Sequence, residues 1–360
     1  MLSTRTAWQR LYNQRVEGPK FRQPEDAVAW LGLVQGQEYE LAKWAVGLRV
    51  EGATTDAIER ALAEGRILRT HIARPTWHFV TPDDIGWILE LTAPRVHQVN
   101  GTMYRKLELD EVVLLRADAI IARALEGGQF KTRLELGAIL ADAGIGAVKG
   151  QRLAYLVMHA ELEGVVCSGP RRGKQQTYAL LAERAPQTRR LARDEALAEL
   201  TRRYFTSHGP ATVKDFAWWS GLTVADVRAG LAMLDLCHAE IAGETFWFGA
   251  DTPADPVPPT QGHLLPVYDE FTVSYKNHSS AYDPQYAALF NAGFFTSPFV
   301  MQGEIIGLWR RTFRRKSVII ESARFRPYSP AEQAAYVAAA QRFGDFLGIP
   351  VVLDGEEIGV

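Results

Sequence analysis

Gln35-Gly36-Gln37 sets two primary amides two residues apart near the start of the chain. A primary amide does not titrate near neutral pH, so the pair cannot serve as acid or base. Each amide does offer a carbonyl acceptor and an NH2 donor, and together they can hold and aim a water molecule. That is sufficient chemistry where the leaving group is already activated, because hydrolysis then needs an oriented nucleophile more than a strong acid. The geometry is demanding. Residues i and i+2 on a regular helix point roughly 200° apart, so both amides reach one pocket only if the chain bends or unwinds there, which Gly36 permits. The alternative is a polar pair on an exposed helix face.

Other residue types capable of chemistry carry weaker signals. Asp83 and Asp84 follow Pro82, where carboxylates favour the exposed N–H groups of a helix start, so they are not read as general bases. Asp269 and Glu270 are adjacent and would face opposite sides of any strand, which argues against a paired-carboxylate mechanism. The lysine nearest the glutamines, Lys43, lies beside Trp44 in a periodic segment where a long surface side chain is expected. Cys167 and Cys237 are the only cysteines and lie far apart, so neither a disulfide framework nor a cysteine-rich metal site is expected. No metal and no organic cofactor is implied.

The elements that must hold the glutamines follow one grammar, repeated three times: a helical stretch, a turn, a second helical stretch, then β-rich sequence. In the first unit Pro24-Glu25-Asp26 opens an apolar run through Ala27, Trp30, Leu31 and Val34, with proline at a first-turn position. Leu41 to Leu48 forms a second stretch. Thr54 caps a helix that Gly65 stops, and the alternation through Leu68, His71, Trp77 and Phe79 predicts paired strands. In the second unit Thr132 and Glu135 make a capping box, Gly144 stops that helix, and another runs from Gly150 to Glu163. Two strands then flank the cationic turn Arg171-Arg172-Gly173-Lys174. The third unit is the clearest helix-turn-helix, with Val213 to Trp219, a turn at Ser220-Gly221-Leu222, and a helix capped by Thr223.

Four prolines between Asp251 and Pro259 mark a linker. Beyond it, strands are expected near 299–301, 304–309, 317–321 and 350–353, with a helix from Pro330 to Phe346. These boundaries divide the chain into 1–110, 111–185, 186–250 and a β-rich module over 251–360, an α+β architecture.

Composition narrows the function. With 360 residues, 47% apolar and 23% charged, the chain has ample material for a core. Mean hydropathy is −0.12 and no apolar run is long enough to span a bilayer. The N-terminal residues lack the pattern of a secretory signal, so the expected location is cytoplasmic. A net charge of −2 excludes a protein that coats nucleic acid by bulk charge, and any such contact must be local. The turn at Arg171, Arg172 and Lys174 qualifies, as does 310–316, where five of seven residues, Arg310, Arg311, Arg314, Arg315 and Lys316, are basic. Solvated turns are the competing reading for both.

Taken in order, Arg10-Leu11-Tyr12-Asn13-Gln14-Arg15, Gln35-Gly36-Gln37, the run from Arg74 to Asp84, Leu264 to Glu270, and Gly307-Leu308-Trp309-Arg310-Arg311 resemble the winged-helix DNA glycosylases typified by AlkZ and YcaQ. The resemblance covers most of the chain. It implies tandem winged helices in a C-shaped scaffold around duplex DNA, acting as a monomer with no membrane partner, and a catalytic Gln-apolar-Gln signature at Gln35 and Gln37. Gly36 departs from that pattern, since the family generally carries a larger apolar residue there. The implied reaction is monofunctional hydrolysis of the N-glycosidic bond of purines alkylated on N3 or N7, or of bulky or crosslinked purine adducts. Such a base is already cationic and leaves without strong acid help. Arg74, Trp77 and His78 are expected to line the site, although Trp77 and Trp87 also read as core residues and His78 as a satisfied strand histidine. The rival reading is a noncatalytic winged-helix protein that binds or regulates DNA.

Overall fold

The computed structural model describes residues 4–146, 148–277, 281–288 and 297–353, together with the backbone of 356–358. Helix α1 (Thr4–Asn13) precedes a first unit built from α2 (Pro24–Leu31), β1 (Val34–Gln35), α3 (Tyr39–Gly47), α4 (Thr55–Glu64), β2 (Leu68–Ile72) and β3 (Arg74–Val80). Pro24 occupies the first turn of α2, where a missing N–H breaks no helical bond. The Thr54 side chain accepts from the Ala57 N–H, and Gly65, at φ 80°, ends α4. The apolar run through Val34 does not continue as one helix. Gly32 caps α2 with its N–H on Val28 and Ala29, and Val34 and Gln35 pass into a strand.

The long helix α5 (Pro82–Lys106) leads out of the first unit, and Asp83 and Asp84 lie in its first turn as expected. The second unit comprises α6 (Glu111–Leu125), β4 (Lys131–Thr132), α7 (Arg133–Asp142), α8 (Gly150–Leu162), β5 (Val166–Arg172) and β6 (Gln175–Leu180), followed by the short α9 (Leu181–Arg184). The third comprises α10 (Arg193–His208), α11 (Val213–Ser220), α12 (Val224–Ala232), β7 (Cys237–Ile241) and β8 (Glu244–Phe248). Reciprocal capping boxes start α7 at Thr132/Glu135, α11 at Thr212/Asp215 and α12 at Thr223/Asp226. The topology repeats with the grammar. Sheet order is β1-β3-β2 in the first unit and β4-β6-β5 in the second, and in the third a bridge from Ala211 to Trp247 on β8 takes the place of the short first strand.

The C-terminal segment contains β9 (Gly262–Leu264), α13 (Glu270–Val273), β10 (Ser297–Met301), β11 (Glu304–Phe313), β12 (Val318–Arg324), α14 (Pro330–Leu347), β13 (Val351–Leu353) and β14 (Glu356–Ile358). Its sheet runs β14-β13-β12-β11-β10-β9, with β12 and β13 parallel and the other pairs antiparallel. This sheet shares one core with α1 and the first unit. Trp44 of α3 packs its ring against Phe343 and Phe346 of α14, with centroids 5.2 and 5.0 Å apart, and its indole N–H donates to the Leu264 carbonyl at 2.7 Å. Truncating such a ring costs about 3–5 kcal/mol, so the C-terminal layer fixes the helix that directly follows the glutamines. The second unit has its own core, and α5 packs with the third unit. No helix among the described residues is long and apolar enough to cross a membrane.

Candidate active site

The glutamine motif lies at a strand end and not on a helix. β1 pairs antiparallel with β3, Val34 opposite Phe79 and Gln35 opposite His78. Gln35 ends the strand and Gln37 lies in the bend that follows, so the conflict expected of a helical i, i+2 pair does not apply. The buried Gln35 side chain accepts the Gln37 backbone N–H at 3.1 Å, and its amide nitrogen reaches Thr76 Oγ1 at 3.4 Å. Gln37 is exposed, and its side-chain oxygen stands 3.4 Å from the Trp77 N–H. Each carbonyl oxygen has a second lone pair with which to receive water.

Gly36 is fixed by its surroundings. Its N–H donates to the Trp77 carbonyl at 2.7 Å, and its own carbonyl accepts from Arg69 Nε at 3.0 Å. A Cβ at this position would lie 3.3 Å from the His78 Cα and carbonyl carbon, tighter than an ordinary contact. Glycine lets β1 approach β3 this closely.

The Gln35 main chain rests on Glu270, one of two adjacent carboxylates that on any strand would face opposite sides. Asp269 and Glu270 instead begin the short helix α13, with the Asp269 side chain accepting the Phe271 N–H. The two carboxylates then diverge into separate networks. Asp269 makes a two-point ion pair with Arg49 at 2.9 and 3.0 Å, both side chains fully buried. Glu270 accepts from the Gln35 backbone N–H at 2.9 Å, from Trp219 Nε1 at 2.9 Å and from the Ser274 hydroxyl, with His208 Nε2 at 3.3 Å. Burial alone would raise its pKa. The His208 contact, the Ser274 hydroxyl and the Gln35 N–H more than offset this and bring it to about 2. A helix-start signal was legible in Asp269, whose side chain and carbonyl serve as local acceptors.

His78 is almost fully buried and faces inward. Its Nδ1 lies 3.0 Å from the Thr76 carbonyl, and burial, with the nearby Arg74 guanidinium, pushes its pKa down to about 3, so the ring is neutral and Nδ1 donates. Trp77 is half-buried and packs against His71 with the rings tilted and their centroids 4.2 Å apart, the Arg69 guanidinium lying 4.3 Å from its ring. Arg74 approaches Trp218 of the third unit. Trp87 is wholly buried and donates to Asp84, which also pairs with Arg203 at 2.5 Å. The structure therefore brings Trp77 and Thr76 to the motif, while His78 and Trp87 lie in the core.

Lys43 is not a surface lysine. It is buried on α3, with Nζ 2.8 Å from Glu40 and 2.9 Å from Glu59. The helix geometry points it into the junction with α4, where two carboxylates replace its hydration.

The basic residues fall into two kinds. Arg171 bonds Glu40 at 2.8 Å and lies over the Tyr39 ring, and Arg172 bonds Glu135 at 2.7 Å and the Phe130 carbonyl. Arg310 is paired through two bonds with Glu321 across the β11–β12 ladder, and Arg311 stands 3.5 Å from Glu38, the N-cap of α3. Lys174 projects at the β5–β6 tip, and Arg314, Arg315 and Lys316 are exposed at the β11–β12 turn beside an exposed Phe313.

A family model described as "DNA glycosylase AlkZ-like" matches residues 28–346. An interstrand DNA cross-link repair glycosylase from Streptomyces sahachiroi is 25% identical over 376 aligned positions, covering 93% of this chain and 95% of that protein. The solved structure of Streptomyces sahachiroi DNA glycosylase AlkZ superposes with a TM-score of 0.81 at 21% identity, over 97% of this chain and 98% of the other.

Proposed function

This chain belongs to the AlkZ-like DNA glycosylase family, and we propose that it removes N3- or N7-alkylated purines, or bulky or crosslinked purine adducts, from duplex DNA by monofunctional hydrolysis. The observation that carries this reading is the strand-end setting of Gln35-Gly36-Gln37. The chain leaves β1 at Gln35 and bends at Gln37, and the buried Gln35 amide orients the backbone of the exposed Gln37. A water held there attacks C1′ as the cationic base departs. Glu270 acts as a positioning residue, holding the Gln35 main chain in place from below.

The three helical units are winged helices in this reading, with boundaries at about 110, 185 and 250. Phosphate contacts come from the exposed tips, Lys174 on one side and Arg314, Arg315 and Lys316 on the other. Arg171, Arg172 and Arg310 exchange a protein carboxylate for a phosphate on binding. The similarity to a cross-link repair glycosylase supports a crosslinked purine as one substrate.

Incubation with duplex DNA carrying 7-methylguanine, 3-methyladenine or a purine interstrand crosslink tests the proposal. Release of the free modified base, leaving an unbroken abasic strand, is the expected result. A folded protein that binds these duplexes and releases no base from any of them would move the reading to the noncatalytic DNA-binding alternative.

A further inference from the structure

Two distant cysteines argue only against a cysteine-rich metal site, and a set of histidine and carboxylate side chains gathers where α5 meets α8. His97 comes from α5, His159 lies near the end of α8, and Glu163 is the C-cap residue of α8. His159 and Glu163 are four residues apart, which puts them on one helical face toward α5. One ligand atom from each of the three lies within 4.8 Å of the others. The two imidazole centroids are 5.0 Å apart.

Both histidines are oriented as ligands are. His97 Nδ1 is engaged by the Tyr104 hydroxyl at 2.8 Å, and His159 Nδ1 by the Asp118 carboxylate at 2.9 Å. With Nδ1 held in each ring, Nε2 is the nitrogen through which each would coordinate, and the Asp118–His159 arrangement is the usual way a metal-bound histidine is held. His97 Nε2 faces Glu163 Oε1 at 2.9 Å, and Asp118 Oδ1 is buried with no hydrogen-bond partner. Two imidazoles and a carboxylate converging beside a buried carboxylate oxygen without a partner are the donor set of a cation site. Pairing both rings with their carboxylates as imidazoliums would set two positive charges side by side. A single dication supplies the same charge between neutral rings.

We propose that His97, His159 and Glu163 bind one Zn2+ ion, with Asp118 and Tyr104 holding the two imidazoles. Two nitrogens and one carboxylate with a position left for water suit zinc, whereas calcium and magnesium favour all-oxygen sets. Zinc bonds of about 2.0–2.1 Å need the three atoms closer than they stand here, and the half-exposed Glu163 side chain can move inward. A cavity of about 420 Å³ adjoins the cluster, lined in part by His97, Glu163, Glu90 and Arg190. The ion fastens the helix leaving the first unit to the second. α8 also carries Glu161, whose contacts with His71 and Trp77 reach the β2–β3 sheet beside the glutamines.

The test is titration of the chelator-treated full chain with Zn2+ by calorimetry, and with Co2+ by visible absorption. One equivalent of each ion is expected, with a zinc-dependent rise in Tm. His97→Ala and Glu163→Ala alter partly exposed side chains and should keep the native circular dichroism while weakening Zn2+ binding at least about tenfold. Tyr104→Phe should weaken it less. Absence of saturable Zn2+ uptake would overturn the proposal. So would uptake unchanged in the His97→Ala/Glu163→Ala double variant, which would place the ion elsewhere on the chain.

Discussion

The backbone N–H of Gln35 donates to the buried carboxylate of Glu270 at 2.9 Å, joining positions 235 residues apart in sequence. The same carboxylate receives Trp219 Nε1 from the third unit. One acidic side chain therefore ties the motif strand, α11 and the start of the C-terminal segment together. It holds the motif through the main chain, so both glutamine amides are left outside this carboxylate's network.

Gln37→Ala should lower base excision by at least about tenfold while leaving affinity for undamaged duplex nearly unchanged, because an oriented water belongs to the transition state. Gln35→Ala should also cost stability, about 1 kcal/mol, since its buried amide receives the Gln37 N–H. Single-turnover excision beside binding titrations separates the two. Undiminished excision by the double variant sinks the water-positioning role.

Glu270→Gln should destabilise the fold by about 1–3 kcal/mol, as the new NH2 group faces donors. The pH dependence follows from its lowered pKa. A carboxylate at about 2 when folded, against 4.5 when free, adds stability that is full above about pH 4.5 and is lost as pH falls toward 2. Urea denaturation from pH 5 down to 2.5 should show a shallower loss in Glu270→Gln than in the wild type. Parallel curves would show that this group does not govern acid unfolding.

Alanine at Arg314, Arg315 and Lys316 should flatten the salt dependence of duplex binding by roughly 0.9 in log–log slope per lost phosphate contact. The Arg171, Arg172 and Lys174 triple variant should flatten it less per residue, because Arg171 and Arg172 are already paired with Glu40 and Glu135. Binding measured over a range of salt decides, and two unchanged slopes return both turns to solvated surface.

Borohydride added during turnover should trap no covalent protein–DNA species. An amine nucleophile must be free and neutral, and the lysine nearest the motif, Lys43, is clamped between Glu40 and Glu59. Lys43→Ala should destabilise the α3–α4 junction by removing the buried cation that Glu40 and Glu59 share. A trapped adduct that disappears in that variant would assign the chemistry to the amine.

Much of the repeat was legible because it is written locally. Thr54, Thr132, Thr212 and Thr223 each satisfy helix N–H groups within a few residues, and Gly65 and Gly221 take the left-handed conformation that ends a helix. Helices α1, α6 and α10 escaped the sequence reading. So did the seat of the motif: the apolar spacing of Ala27, Leu31 and Val34 is helical, and only the turn at Gly32 interrupts it. Lys43 reads as surface because its sequence neighbours, Glu40 among them, say nothing of Glu59 arriving from the next helix.

By itself, the sequence determined the α+β repeat, the type of chemistry two amides can perform, and the family resemblance, since each rests on residue type, short spacing or motif order. Tertiary structure decided where those amides stand. Gln35 becomes a strand residue because β3 accepts it as a partner and Gly36 allows the close approach to His78. Glu270 becomes its anchor because a carboxylate removed from water must find donors, and those nearest in space came from Gln35, Trp219 and Ser274. Long-range pairing of this kind depends on how separate units pack, which no local window of sequence encodes.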